Sequence, residues 1–313
     1  MDQMKVSLNK RKFLISFCIP TYNRCEALQK CIESIISQPD FEKSVEIVVS
    51  DNASTDSTFD VVKKFSSLFP DNIIYFKNRE NIGMEANFRK VLDLGSGKLL
   101  KLLNDYSLIT PNYIPKLLKC IEINKNEKAI LFFMNIGTNE NFRLCTNFND
   151  FLKHTTYWTT WIGTFSIWKN DYTSFSNKEE CEGLLFFHML LLFEIFRKKK
   201  KILIYYYQYS KNVDNIIKGG YNFYRVFIDN YIGKILEGLY KNNEISIFTL
   251  RNVKSKFCIE FLRQWETKIN LKEINYQNFD INDRKLIYKY FWNYPELYLS
   301  LLYVYLCKAR IIN

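Results

Sequence analysis

Apolar and polar positions alternate on two length scales over the first 135 residues. Five short apolar runs, FLISFCIP (13–20), VEIVVS (45–50), NIIYFK (72–77), KLLKLLN (98–104) and AILFFM (129–134), read as strands buried on both faces. Between them the apolar spacing changes to three and four. Leu28, Cys31, Ile32, Ile35 and Ile36 line one helix, with Asn23 and Glu26 placed to cap it. Val61, Val62, Phe65, Leu68 and Phe69 line a second, opened by Ser57 and Asp60 and stopped at Pro70; Met84, Phe88, Val91 and Leu92 line a third that ends at Gly95 and Gly97. This order predicts an α/β chain, a Rossmann-like, mostly parallel sheet flanked by helices. Such sheets take ligands at the carboxyl ends of their strands, so Pro20-Thr21-Tyr22-Asn23, Ser50-Asp51-Asn52 and Asn104-Asp105-Tyr106 are expected to face one cleft.

Beyond residue 135 the pattern weakens. YWTTWIGTFSIWKN (157–170) predicts paired strands around a glycine, and GLLFFHMLLLFEIF (183–196) a buried helix. From about 206 the chain reads mostly as helices, with KGGYN (218–222) as a loop. The expected organisation is an α/β domain over 1–205 and a mainly helical C-terminal region over 206–313.

A hydrophobic fraction of 47% fills a sizeable core, and 17% aromatics point to thick helical packing or a surface that meets something greasy. The net charge of +11 favours anionic partners without choosing among them. Its densest feature, Arg197 through Lys201, reads as a solvated turn before a strand or as an electrostatic foothold on an anionic membrane. No nucleic-acid-binding module is recognisable, so charge alone does not make this a nucleic-acid binder. Eight scattered cysteines without a C-x-x-C pair argue for free thiols in a reducing compartment. The start, MDQMKVSLNKRKFLISFCIP, lacks a small-residue cleavage site, and the greasiest stretch, 183–196, is broken by His188 and Glu194; neither a signal peptide nor a membrane span is expected.

No G-x-G-x-x-G follows the first strand, and no G-x-x-x-x-G-K-[ST] loop occurs, so phosphates bound here are neutralised by side chains or a metal. In order over residues 13–115, ISFCIPTYNR, EIVVSDNASTDST, NIGMEANFRK and LLNDYSLITPNYI resemble the strand-end motifs of the family 2 glycosyltransferases, in wording similar to bacterial O-antigen and capsular polysaccharide sugar transferases. The resemblance implies a GT-A fold, a nucleotide-diphosphate sugar donor, and inverting transfer to a hydroxyl of a glycan or lipid-linked oligosaccharide. The setting it implies is cytoplasmic, or peripheral on the inner face of the cytoplasmic membrane. Residues 1–205 would bind the donor and catalyse; 206–313 would meet acceptor, membrane surface or another copy.

Carried over by position, Pro20, Thr21 and Tyr22 would line the nucleotide, with Tyr22 against the base and Asp51 accepting the base imide N–H. Asn104 and Asp105 stand where the family has acids for the ribose and for Mg²⁺ or Mn²⁺. Only Asp105 is a carboxylate, so it holds a metal alone or the site works without one. Ala86 occupies a place where an arginine reaching the nucleotide is common; Arg89 one turn on, or Arg79 upstream, would supply that charge.

An inverting displacement also needs a base within reach of the acceptor hydroxyl. Glu179, Glu180, Glu182 and His188 lie where the resemblance implies it, although a lone histidine inside LLFFHMLLL equally reads as a core residue. Trp158, Trp161 and Trp168 read as a sugar platform or as core, and Gly219-Gly220-Tyr221 as an acceptor loop or a plain turn. A second reading, suggested by the depleted acid site, is a nucleotide-sugar binder with weakened activity.

Overall fold

The computed structural model describes residues 13–126, 129–214, 221–270 and 280–312. In chain order these form β1 (Ile15–Thr21), α1 (Cys25–Ile36), α2 (Phe41–Ser44), β2 (Val45–Asp51), α3 (Thr58–Leu68), β3 (Ile73–Lys77), α4 (Met84–Leu94), β4 (Leu99–Leu102), β5 (Ser107–Ile109) and α5 (Tyr113–Asn124). There follow β6 (Ile130–Met134), β7 (Phe142–Cys145), α6 (Phe148–Thr155), β8 (Ser166–Trp168), α7 (Lys169–Ser174), α8 (Phe187–Lys199), β9 (Ile202–Tyr206) and β10 (Ser210–Asn212). The rest is helical: a wide π-type turn series over Tyr224–Leu236, α9 (Glu237–Lys241), α10 (Ile247–Lys256), another wide stretch over Phe257–Leu262, α11 (Arg263–Asn270), α12 (Lys285–Phe291) and α13 (Pro295–Ile312). The chain divides into two compact units, each discontinuous in sequence.

The first unit draws on the described residues up to 126, on 166–176 and on 209–213. Its sheet has the order β3-β2-β1-β4-β8, parallel except for β8, which runs antiparallel to β4. Every residue of β2 and β4 is buried, as expected of strands covered on both faces. Leu28, Cys31, Ile32 and Ile35 of α1, Val62 and Phe65 of α3, and Phe88, Val91 and Leu92 of α4 are buried, matching the helical spacing. Leu68 is an exception and stands exposed at the end of α3. A Cβ on Gly97 would lie 2.5 Å from the Ser16 amide nitrogen, so the chain passes close to β1 there only because residue 97 has no side chain. A short antiparallel ribbon, β5 with β10, completes this unit.

Two expectations about strands are corrected. The run 129–134 does not join the parallel sheet; as β6 it pairs with β9 in a separate sheet of order β6-β9-β7 within the second unit. The place beside β4 goes to β8 instead. The stretch 157–170 is not a pair of strands, because residues 156–160 and 162–164 wind into short 3-10 turns and only Ser166–Trp168 is extended. Threonine hydroxyls explain the difference: Thr159 donates to the Thr156 carbonyl at 3.1 Å, Thr160 to Tyr157 at 2.7 Å, and Thr164 to Trp161 at 2.7 Å, each bond favouring a tight turn over a ladder.

The second unit holds the β6-β9-β7 sheet, α6, α8 and the C-terminal helices. Its aromatics pack helix on helix: Phe148 of α6 meets Phe193 and Phe196 of α8 with centroids 5.2 and 4.9 Å apart, and Phe257 stacks on Phe291 at 5.8 Å. All eight cysteines are free. Among the described residues no helix is long and apolar enough to cross a membrane. Residues 1–12 and the Gly219-Gly220 pair lie outside the described residues.

Candidate functional site

The carboxyl ends of the neighbouring strands β2, β1 and β4 bring Asp51, Thr21 and Asp105 together. Thr21, the last residue of β1, lies opposite Asp51 in the strand register. Its hydroxyl donates to Asp105 Oδ2 at 2.8 Å. Arg24, at the head of α1, donates through Nη1 to Asp105 Oδ1 at 3.1 Å, and its guanidinium lies 5.5 Å from the Tyr106 ring centroid. The Asp105 side chain is 1% exposed and that of Arg24 is 31% exposed. Burial pushes the Asp105 carboxyl above the usual range, while Arg24 and Thr21 pull it back part of the way. The buried Asn104 Nδ2 has no hydrogen-bond acceptor among the described residues.

Asp51 is completely buried. Its Oδ1 accepts the Ser54 amide at 2.8 Å and its Oδ2 the Tyr75 hydroxyl at 2.6 Å. Burial and the neighbouring Asp51 carboxylate drive the Tyr75 phenol upward, so it stays protonated and donates. Tyr22, one residue past β1, is 44% exposed, and Pro20 is half-buried.

Hydrogen-bonded side chains fix the loops around these groups. Asn23 is held at a φ of 51°, its Oδ1 accepting from the Thr55 amide at 2.8 Å and its own amide donating to Ser54 Oγ at 2.8 Å. It does not cap α1 as the spacing suggested. Asp56 does, accepting the Cys25 amide of α1 at 2.9 Å and the Thr58 amide of α3 at 3.1 Å. A second cluster joins Asn52, Asn78 and Asn87: Asn78 donates to Asn52 Oδ1 at 3.2 Å and to Asn87 Oδ1 at 3.0 Å, and Asn87 donates to the Ser50 carbonyl at 3.0 Å. These bonds lock the ends of β2 and β3 to α4.

Arg89 and Arg79, singled out from the sequence as cations for the nucleotide, are half-buried in mid-α4 and exposed before α4 respectively; the Arg89 carbonyl accepts the Tyr172 hydroxyl at 3.1 Å. The cation on Asp105 is Arg24, which sequence reasoning missed. Its signal was a charge three residues after Thr21, inside PTYNR.

Mg²⁺ and Mn²⁺ take oxygen ligands, with one or two carboxylates beside the phosphates they serve. Here both oxygens of the strand-end carboxylate are engaged by Thr21 and Arg24, and the flanking Asn104 and Tyr106 bring an amide and a phenol. Among the described residues no three of His, Cys, Asp and Glu cluster to hold a metal. The expected metal role of Asp105 therefore does not fit the donor set, which is arranged as a guanidinium–carboxylate pair.

In the second unit His188 is 2% exposed, near the start of α8. Its Nε2 donates to the Thr160 carbonyl at 3.2 Å, and the rings of Phe165 and Phe186 lie 6.3 and 6.4 Å away. Burial, only partly offset by its backbone partners, lowers its pKa to about 4. Glu179 and Glu180 are exposed and Glu182 is half-buried just before α8; Asn177 donates to Glu180 Oε1 at 2.9 Å. Trp158 and Trp161 stand half-buried with centroids 5.6 Å apart, whereas Trp168 is a buried residue of β8 in the first unit.

The family model described as Glycosyl transferase family 2 matches residues 16–198. The abequosyltransferase RfbV of Salmonella typhimurium is 44% identical over 84 residues, which cover 27% of this chain and 25% of that protein. The GalNAc(5)-diNAcBac-PP-undecaprenol beta-1,3-glucosyltransferase of Campylobacter jejuni is 40% identical over 92 residues, 29% of each chain. The chain thus spans less than a third of either relative's length in these matches. Among solved structures, S. aureus TarS 1–349 in complex with UDP-GlcNAc superposes with a TM-score of 0.55 at 15% identity, covering 94% of this chain and 88% of that one. At that identity the likeness speaks to the fold alone.

Proposed function

The chain belongs to glycosyl transferase family 2 and has the GT-A fold; on that premise we propose that it transfers a sugar from a nucleoside-diphosphate donor to a hydroxyl of a glycan or lipid-linked oligosaccharide in bacterial surface polysaccharide assembly. The observation that carries this reading is the convergence of Asp51, Thr21, Arg24 and Asp105 at three adjacent strand ends. Tyr22 stacks on the base at the rim, and the base imide N–H reaches Asp51 Oδ2 by displacing the Tyr75 hydroxyl that donates to it. Asn104 Nδ2 gains an acceptor on the ribose or phosphate. Arg24, oriented by Asp105, presents its guanidinium to the diphosphate and stabilises it as leaving group. Transfer proceeds by single displacement with inversion: the acceptor oxygen bonds to C1, the bond from C1 to the phosphate oxygen breaks, and the acceptor proton goes to a carboxylate. Glu180 and Glu182 are favoured as that base because they meet solvent, whereas His188 is enclosed by aromatic rings. Residues 1–205 serve donor and chemistry in this reading, and 206–313 the acceptor and surface contacts.

Thermal shift with UDP, GDP and their sugar conjugates, each in EDTA and in Mn²⁺, tests the donor site. At about 100 times Kd a ligand adds roughly 2.7 kcal/mol of stability, well above detection. The expected result is one nucleoside diphosphate that raises Tm equally in both buffers. A shift seen only with Mn²⁺ overturns the metal-free site, and no shift with any of them overturns the donor reading. Glu180→Gln or Glu182→Gln is expected to lower turnover more than about 10²-fold while His188→Gln retains it. Donor binding without turnover in the unsubstituted chain favours the weakened homologue.

A further inference from the structure

Among the described residues, nothing covers one apolar face of the C-terminal helix α13. Leu297, Ser300 and Val304 are buried toward α11 and the Phe257–Leu262 stretch. The opposite side presents Tyr298, Leu299, Leu302, Tyr303, Tyr305 and Leu306, each between 48% and 68% exposed. From Leu297 to Cys307 the sequence LYLSLLYVYLC holds no charge at all. A soluble helix apolar on both sides is ordinarily enclosed; this one is not. The face continues onto α12, where Trp292 and Tyr288 are exposed and the Tyr298 hydroxyl donates to the Trp292 carbonyl at 2.7 Å.

We propose that this face docks on an anionic lipid bilayer surface, with α13 lying in the interface. Charge selects the occupant. From Arg284 to Lys308 there are four cations, Arg284, Lys285, Lys289 and Lys308, against one acid, Glu296. Arg284 and Lys289 answer Glu266 and Asp229, while Lys285 and Lys308 have no ion-pair partner among the described residues. Arg263 adds a guanidinium 5.0 Å from the Tyr303 centroid. Two copies, each carrying a net +11, would repel across such a face, whereas an anionic surface attracts it. Tyrosine and tryptophan beside leucine suit the boundary between headgroups and acyl chains. No described helix crosses a membrane, so the contact is a surface one. The basic run at 197–201 is a poorer foothold, since Arg197 is spent on Glu194 and Glu244. This inference rests on the surface of α12 and α13 and stands apart from the transfer reading.

Vesicle flotation of the full chain tests it, with phosphatidylcholine alone and with about 30 mol % phosphatidylglycerol at ~0.1 M NaCl. The chain is expected to float only with the anionic vesicles. Leu302→Glu is expected to reduce partitioning at least about tenfold, and Lys285→Gln or Lys308→Gln roughly fivefold each. All three sites are exposed, so thermal midpoints and the nucleotide-induced shift are expected to match the unsubstituted chain; a failure of the donor site is read separately from a failure here. Equal flotation of Leu302→Glu, equal binding to neutral vesicles, or no flotation overturns the proposal. So does a dimer in sedimentation equilibrium that Leu302→Glu dissolves while the unsubstituted chain ignores vesicles, which assigns the face to a second copy.

Discussion

Arg24 changes how the strand-end acid is understood. Asp105 is buried and its ordinary tendency there is to hold its proton; the guanidinium 3.1 Å away and the Thr21 hydroxyl favour the charged form. Removing Arg24 leaves that carboxylate without its cation. Arg24→Gln is expected to cost about 2 kcal/mol in urea unfolding, less than a fully enclosed pair because Arg24 is partly solvated. Arg24→Gln/Asp105→Asn is expected to recover about 1 kcal/mol, yet to bind nucleoside diphosphate as poorly as the single variant. His188 gives a second residue-scale expectation. Its folded pKa, about 4, is below the ordinary 6.5, so its contribution is whole above pH 6.5 and is lost as pH falls toward 4. The loss is about 3 kcal/mol, and His188→Gln should flatten stability across that window in urea titrations at successive pH values.

Elements were legible where local pattern alone decides them. The strands β1 to β4 followed from short continuous apolar runs and the helices α1, α3 and α4 from a period of 3.6, and the strand-end rule pointed to Pro20, Thr21, Tyr22, Asp51, Asn104 and Asp105 as candidates. Pairing is non-local, which is why the 129–134 run was given to the wrong sheet: nothing in AILFFM distinguishes a neighbour of β4 from a neighbour of β9. The threonine back-bonds at 156–164 and the two-helix cap by Asp56, whose bond to Cys25 spans 31 residues, are invisible to apolar spacing, which points to strands and to Asn23 instead. Because Asp56 meets the first amides of both α1 and α3, Asp56→Ala is expected to cost about 1–2 kcal/mol. Guanidinium melts of that variant against Ser57→Ala, whose side chain makes no cap bond, would isolate the effect.

For the whole molecule, the important fact is that the first unit is assembled from three separated stretches. β8 covers the β4 edge, β10 pairs with β5, and the Tyr209 ring stacks on Tyr113 at 4.9 Å with Lys101 Nζ 4.7 Å from its centroid. Burial lowers the Lys101 pKa well below its ordinary value, so that residue depends on its enclosure. A fragment ending at residue 205 lacks Tyr209 and β10 and is expected to show a broad, low-slope urea transition where the full chain shows a steep one. The same arrangement bears on biosynthesis. As the polypeptide leaves the ribosome, four parallel strands can form early, but the bare β4 flank waits for Ser166–Trp168 and the turn at Asp105 waits for Ser210–Asn212. Until then the nascent chain carries an open sheet margin, the kind of unpaired edge through which folding intermediates associate.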